Sequence, residues 1–108
     1  MCTTRILAKS PYGIVFECPS CDAVQLVFGT AKMAFKQTDF MIFIEEMNSK
    51  VQSKHLSTHP EVAKSILINH PDNAGFSFVL TYKELQEMTH LIFQAHLLQE
   101  AYKILKVI

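Results

Sequence analysis

Gly13-Ile14-Val15-Phe16-Glu17-Cys18-Pro19-Ser20-Cys21-Asp22-Ala23-Val24-Gln25-Leu26-Val27-Phe28-Gly29 decides how the rest of the chain is read. Ile14 and Phe16 fall on one side of a period-two pattern and Val15 and Glu17 on the other. Beyond the cysteines, Val24, Leu26 and Phe28 alternate with Ala23, Gln25 and Val27. Two alternating runs around a turn predict a β-hairpin. Its connection passes through Pro19-Ser20, where Pro sets its own φ and donates nothing to a ladder. Two cysteines separated by two residues at a hairpin tip would aim both sulfurs at one point, which is half of a zinc knuckle. Structural zinc takes four ligands and the usual second Cys-x-x-Cys is missing, so other donors must complete such a site.

Upstream, residues 3–8 read as a short strand stopped by Ser10-Pro11-Tyr12-Gly13, a turn in which Pro presets one dihedral and Gly permits a positive φ. Downstream, Gly29-Thr30 turns the chain into Ala31-Lys32-Met33-Ala34-Phe35-Lys36, whose opposed apolar and lysine faces predict a half-solvated antiparallel strand. Phe40, Phe43, Ile44, Met47 and Val51 then recur at helical spacing behind Thr38 and Asp39, both good N-caps. This predicts a helix over 39–52. Residues 53–60 are polar, carry His55 and His59, and read as a linker. A strand is expected over 61–69 with Ile66 and Ile68 on one side. A turn over 70–75 leads to Phe76-Ser77-Phe78-Val79-Leu80, with both phenylalanines on one face. Thr81-Tyr82-Lys83-Glu84 is a capping box, and the last helix runs from it toward the final residue.

The expected fold class is α+β, an antiparallel sheet of about five or six strands with two helices on one face, in the order β-β-β-β-α-β-β-α. A single domain over 1–108 suits the length. Its two β-β-α-like halves, 1–52 and 61–108, are joined by the polar linker 53–60. The last helix is apolar around much of its circumference. One stripe holds Leu85, Met88, Leu91, Ile92, Ala95, Leu98, Tyr102 and Leu105; a second holds Phe93, Leu97, Ile104 and Ile108, roughly a third of a turn away. One sheet covers one stripe, so the second is expected to meet another chain or the first helix.

Ten Lys plus Arg balance ten Asp plus Glu, and 49% of residues are hydrophobic. That describes a globular chain without the electrostatic footprint of a nucleic-acid binder, and it leaves little self-repulsion to oppose a homo-oligomer. No apolar run is long enough to cross a bilayer and the amino terminus lacks the apolar core of a signal peptide, so no membrane partner and a cytoplasmic location are expected. Three cysteines, an odd number, do not make a disulfide framework and are expected as thiols or metal ligands.

Cys2, Cys18 and Cys21 are the candidate metal ligands, with His55, His59 or Asp22 as the fourth. A redox role needs the Cys-x-x-Cys at a helix N-terminus, whereas a strand follows here. His70, His90 and His96 read as surface or partly buried residues, and Glu45-Glu46 as a solvated helix face, since no catalytic constellation is placed around them. Glycine-rich phosphate loops and nucleophile elbows are missing. The expected function is an uncharacterised small cytoplasmic interaction or regulatory module, non-catalytic, without a cofactor and homodimeric through its last helix. The alternative is a zinc-binding protein using the Cys-Pro-Ser-Cys turn plus Cys2.

Residues 13–43 resemble a small bacterial domain family of unknown function, in which a Gly, a Cys-x-x-Cys, a Leu-x-Phe-Gly segment and a Phe-x-x-Phe helix follow an early Cys. The matching positions are Gly13, Cys18 and Cys21, the run from Leu26 through Phe28 to Gly29, Phe40 and Phe43, and Cys2. The resemblance implies three clustered cysteines and carries no known activity. The turn is also similar to a zinc-ribbon knuckle, from which the chain departs in lacking a second one.

Overall fold

A computed structural model of the chain describes residues 4–52, 66–72 and 75–107. Four strands, β1 (Arg5–Ser10), β2 (Gly13–Cys18), β3 (Ala23–Phe28) and β4 (Ala31–Lys36), form an antiparallel meander in that order. Helix α1 (Gln37–Val51) follows, then β5 (Ile66–Asn69) and β6 (Ser77–Leu80) as a second, two-stranded antiparallel sheet, and finally helix α2 (Tyr82–Val107). This is the α+β class and the element order that the patterning predicts. The six strands divide four and two, so they do not continue as one ladder.

Pairing register decides which face of the meander is inside. Val15 lies opposite Leu26 and Leu26 opposite Met33, while Glu17 lies opposite Val24 and Val24 opposite Phe35. Because side chains alternate, that register sends Val15 and Glu17 inward and leaves Ile14 and Phe16 on the outer face. In β1 the pairing slips between Ile6 and Ala8, so Leu7 and Ala8 are both buried. The bulge resets the phase of the strand and brings Arg5 opposite Glu17 on the inner side. Gly13 is required where β2 crosses β3, since a Cβ there would stand 2.2 Å from the Val27 carbonyl oxygen. Gly29 turns β3 into β4 at φ +62, the positive first position that a type II′ hairpin needs.

The second sheet is fastened to β4 by a side chain. Asp72 N–H donates to His70 Nδ1 at 3.0 Å, so the ring proton sits on Nε2, which donates to the Ala34 carbonyl at 2.7 Å. The His70 ring lies parallel to Phe35 with centroids 4.8 Å apart. His70 thus joins the second sheet to β4 through one hydrogen bond and one ring contact.

Both helices pack on the inner face, α2 over β1 and β2 and α1 over β3 and β4. One cluster of buried side chains takes Val15, Leu26, Phe40, Phe43 and Met47 from the first half and Ile66, Ile68, Leu85, Met88 and Ile92 from the second. Helix α1 begins at Gln37, ahead of the expected start, with extended Lys36 at the cap position and no side-chain cap bond. Thr38 and Asp39 therefore lie in the first turn and do not cap it. The chain runs from β4 straight into the helix, and the Gln37 side chain is held by a partner on α2. The capping box of α2 forms as its residues dictate: Thr81 N–H donates to Glu84 Oε1 at 2.9 Å and Glu84 N–H to Thr81 Oγ1 at 3.0 Å.

The first apolar stripe of α2 is buried from Leu85 to Ala95, partly buried at Leu98 and Tyr102, and exposed at Leu105. A helix of 26 residues is about 39 Å long, whereas strands of six residues span roughly 20 Å, so the helix outruns the sheet that covers it. The expected linker 53–60, the first part of the expected strand 61–69, and Cys2, His55, His59 and Ile108 lie outside the described residues.

Candidate functional site

The hairpin tip between β2 and β3 is a single 3-10 turn, Pro19–Cys21, ended by Asp22 in the left-handed region at φ 51. Cys18 is a free thiol, buried at the end of β2 and 3.5 Å from Ser20 Oγ. Cys21 is exposed and disulfide-bonded, so the two cysteines of the turn are in different covalent states and are not bonded to each other. This corrects the expectation that all the cysteines are thiols or metal ligands: an odd count still allows one bond and leaves one thiol over. Among the described residues no group of three His, Cys, Asp or Glu side chains could hold a metal ion. Asp22, one candidate for a fourth ligand, is exposed on the turn.

Beside this turn the structure assembles a polar cluster that the sequence did not single out. Glu17 is only 7% exposed although it carries a carboxylate. Arg5 Nε donates to its Oε2 at 2.6 Å, and Gln99 Nε2 donates to its Oε1 at 2.8 Å. An ionised carboxylate only accepts hydrogen bonds, so Gln99 must present its amino group, and the second proton of that group goes to Gln37 Oε1 at 2.8 Å. Gln37 Nε2 returns a bond to Gln99 Oε1 at 3.2 Å, closing an amide pair. The guanidinium carbon of Arg5 stands 3.7 Å over the ring centre of Tyr102, a cation–π contact one turn of α2 beyond Gln99. Four elements thus contribute one polar side chain each, Arg5 from β1, Glu17 from β2, Gln37 from α1 and Gln99 from α2.

Burying a carboxylate costs several kcal/mol unless it is paired and fully hydrogen-bonded, and here both oxygens are engaged. At the cluster opens a cleft of about 150 Å³, which Cys18, Pro19, Asp22, Ala23, Tyr102 and Lys103 also line. Glu17 escaped notice because a lone acid in an alternating strand ordinarily marks the solvent face. The one available signal was its phase, which matches Val15 in a hairpin whose partner strand carries Leu26.

A second feature is apolar. Phe93, Leu97 and Ile104 are 53%, 54% and 66% exposed, and Leu105 near the overhanging end is 63% exposed. Between α1 and α2 beside Phe93 lies a groove of about 360 Å³, lined by Ile44, Val51 and Ile92 with Asn48, Gln86, Thr89 and His90. The first helix therefore does not cover Phe93, Leu97 or Ile104, the described residues of the second stripe, which removes for them one of its two expected fates.

The chain belongs to a family of unknown function (DUF6686), whose model matches residues 1–108. The match spans the whole chain, where the resemblance drawn from residues 13–43 spanned only its first half. No curated protein and no solved structure matches the chain. No described helix is long and apolar enough to cross a membrane.

Proposed function

We propose that this DUF6686 chain is a non-catalytic interaction or regulatory module that pairs with a second copy of itself through α2. The observation that carries the reading is the exposed row Phe93, Leu97 and Ile104, joined by Leu105 at the helix end. Residues four and seven apart share a helix face, so Phe93, Leu97 and Ile104 lie on one side of α2, with the exposed Glu100 between the last two. The adjoining groove, floored by Ile44, Val51 and Ile92, offers a seat for a partner's side chain. Zero formal net charge leaves no long-range repulsion against a copy.

Covering a side chain of this kind that is half to two-thirds exposed contributes roughly 1–1.5 kcal/mol, so four on each of two copies contribute about 8–12 kcal/mol. Association costs about 4–15 kcal/mol in lost translational and rotational freedom, so the pairing is expected to be reversible and dependent on concentration. Sedimentation velocity tests it. The wild-type chain should move toward a dimer as its concentration rises to about 100 μM, and Leu97→Glu should remain a monomer there, because a charge on the row would have to be buried. A wild-type chain that stays monomeric over that range removes the reading.

The zinc reading belongs to a different covalent state. A zinc ion on Cys2, Cys18 and Cys21 needs three thiolates, and one disulfide among three cysteines leaves a single thiol. Such a site is therefore confined to the reduced chain.

A further inference from the structure

We propose that the cleft over Glu17 binds a small carboxylate anion, received by the unused edge of the Arg5 guanidinium. Arg5 is held in place on two sides, by its Nε bond to Glu17 and by the ring of Tyr102 against its plane. Neither of its Nη atoms donates to any described residue, so a flat fork of N–H donors is left in a side chain that lines the cleft. That fork matches the two oxygens of a carboxylate, and holding it rigid in advance lowers the entropic cost of using it.

The buried acid does not repel the ligand. Both Glu17 oxygens are occupied, by Arg5 and by Gln99, and its charge is compensated within the pair. At the mouth Asp22 adds a second acid and Lys103 a second cation, which donates to Glu100 Oε1 at 3.4 Å and keeps two further N–H donors. Gln37 spends only one of its two amide protons inside the cluster, which leaves a further donor at the cleft. A space of about 150 Å³ takes one molecule the size of benzene, and so a carboxylic acid of roughly six non-hydrogen atoms. Stability does not call for the arrangement, since a buried ion pair is commonly matched or bettered by apolar side chains of the same volume.

The test is a titration of the full-length, isotope-labelled chain, following the Arg5 Nε–H resonance and the backbone amides by NMR. Sodium propionate is the probe, added to about 20 mM with sodium chloride holding the ionic strength constant, and sodium phosphate is the comparison. The expected result is a saturable shift confined to the neighbourhood of Arg5, Gln37, Gln99 and Lys103. Arg5→Lys keeps the charge and loses the fork, and it should weaken propionate by about ten-fold or more. Lys103 is 64% exposed and its pair with Glu100 lies at the surface, so Lys103→Gln is expected to stay folded and to weaken binding several-fold. Three results overturn the proposal: shifts that do not saturate or spread over the surface, binding unchanged in a folded Arg5→Lys or Lys103→Gln variant, and phosphate binding as tightly as propionate.

Discussion

Glu17→Gln changes one atom's worth of shape and isolates what the buried carboxylate does. The carboxylate accepts from Arg5 Nε at 2.6 Å and from Gln99 Nε2 at 2.8 Å. An amide has only one accepting oxygen, so one of those donors must then face another donor. Hydrogen bonds to charged groups contribute about 1.5–3 kcal/mol each, and breaking a buried ion pair costs about 3–5 kcal/mol. The Arg5 side chain is 33% exposed, and water can take over part of its solvation, so the lower part of that range applies. The expected loss is roughly 2–4 kcal/mol, which for a domain of this size lowers Tm by about 8–16 °C. Urea unfolding with linear extrapolation measures it. Replacing both partners by apolar residues, Arg5→Met with Glu17→Leu, should recover most of what Glu17→Leu alone loses, because no unpaired charge is left inside. A Glu17→Gln variant within about 0.5 kcal/mol of wild type would refute the account of the cluster. So would a double variant as unstable as Glu17→Leu alone.

Other substitutions test other parts of the fold. Gly13→Ala should lose about 1–3 kcal/mol by urea unfolding, since the new methyl group meets a backbone oxygen that cannot swing aside. Gly29→Ala has open space around it and should lose only the ~1–2 kcal/mol of a left-handed residue; if Gly13→Ala is neutral, the β2–β3 register is wrong. Thr81→Ala removes one side of the capping box and should cost about 1 kcal/mol, with amide exchange rising in the first turn of α2. Without reductant, chain unfolded in guanidinium should titrate one thiol, since Cys21 is bonded and Cys18 is free; three thiols would overturn that assignment. Zinc added to the oxidised chain should stay in solution; uptake by the oxidised chain would contradict the thiolate requirement.

Much of the architecture is local, and local features are legible. The capping box formed as read because its donors and acceptors sit within one turn of each other. The inner faces of β3, β4 and β5 followed from strict alternation, with Leu26, Met33, Phe35, Ile66 and Ile68 all buried. The start of α1 was displaced because Gln37, a residue with no cap chemistry, gains a partner 62 positions away. The metal candidates were chosen on spacing alone, and spacing does not report oxidation: Cys18 and Cys21 lie in one turn with different fates.

Amino-acid order by itself determined the kinds of element, their succession, and the surplus of apolar surface on the last helix, because each is written in neighbours a few residues apart. Tertiary structure alone decided which side of β2 turns inward, and with it the burial of Glu17 among Arg5, Gln37 and Gln99. A period of two names two faces without saying which is wet. That choice is made by cross-strand register and helix placement, in contacts spanning up to 82 positions that no local pattern encodes.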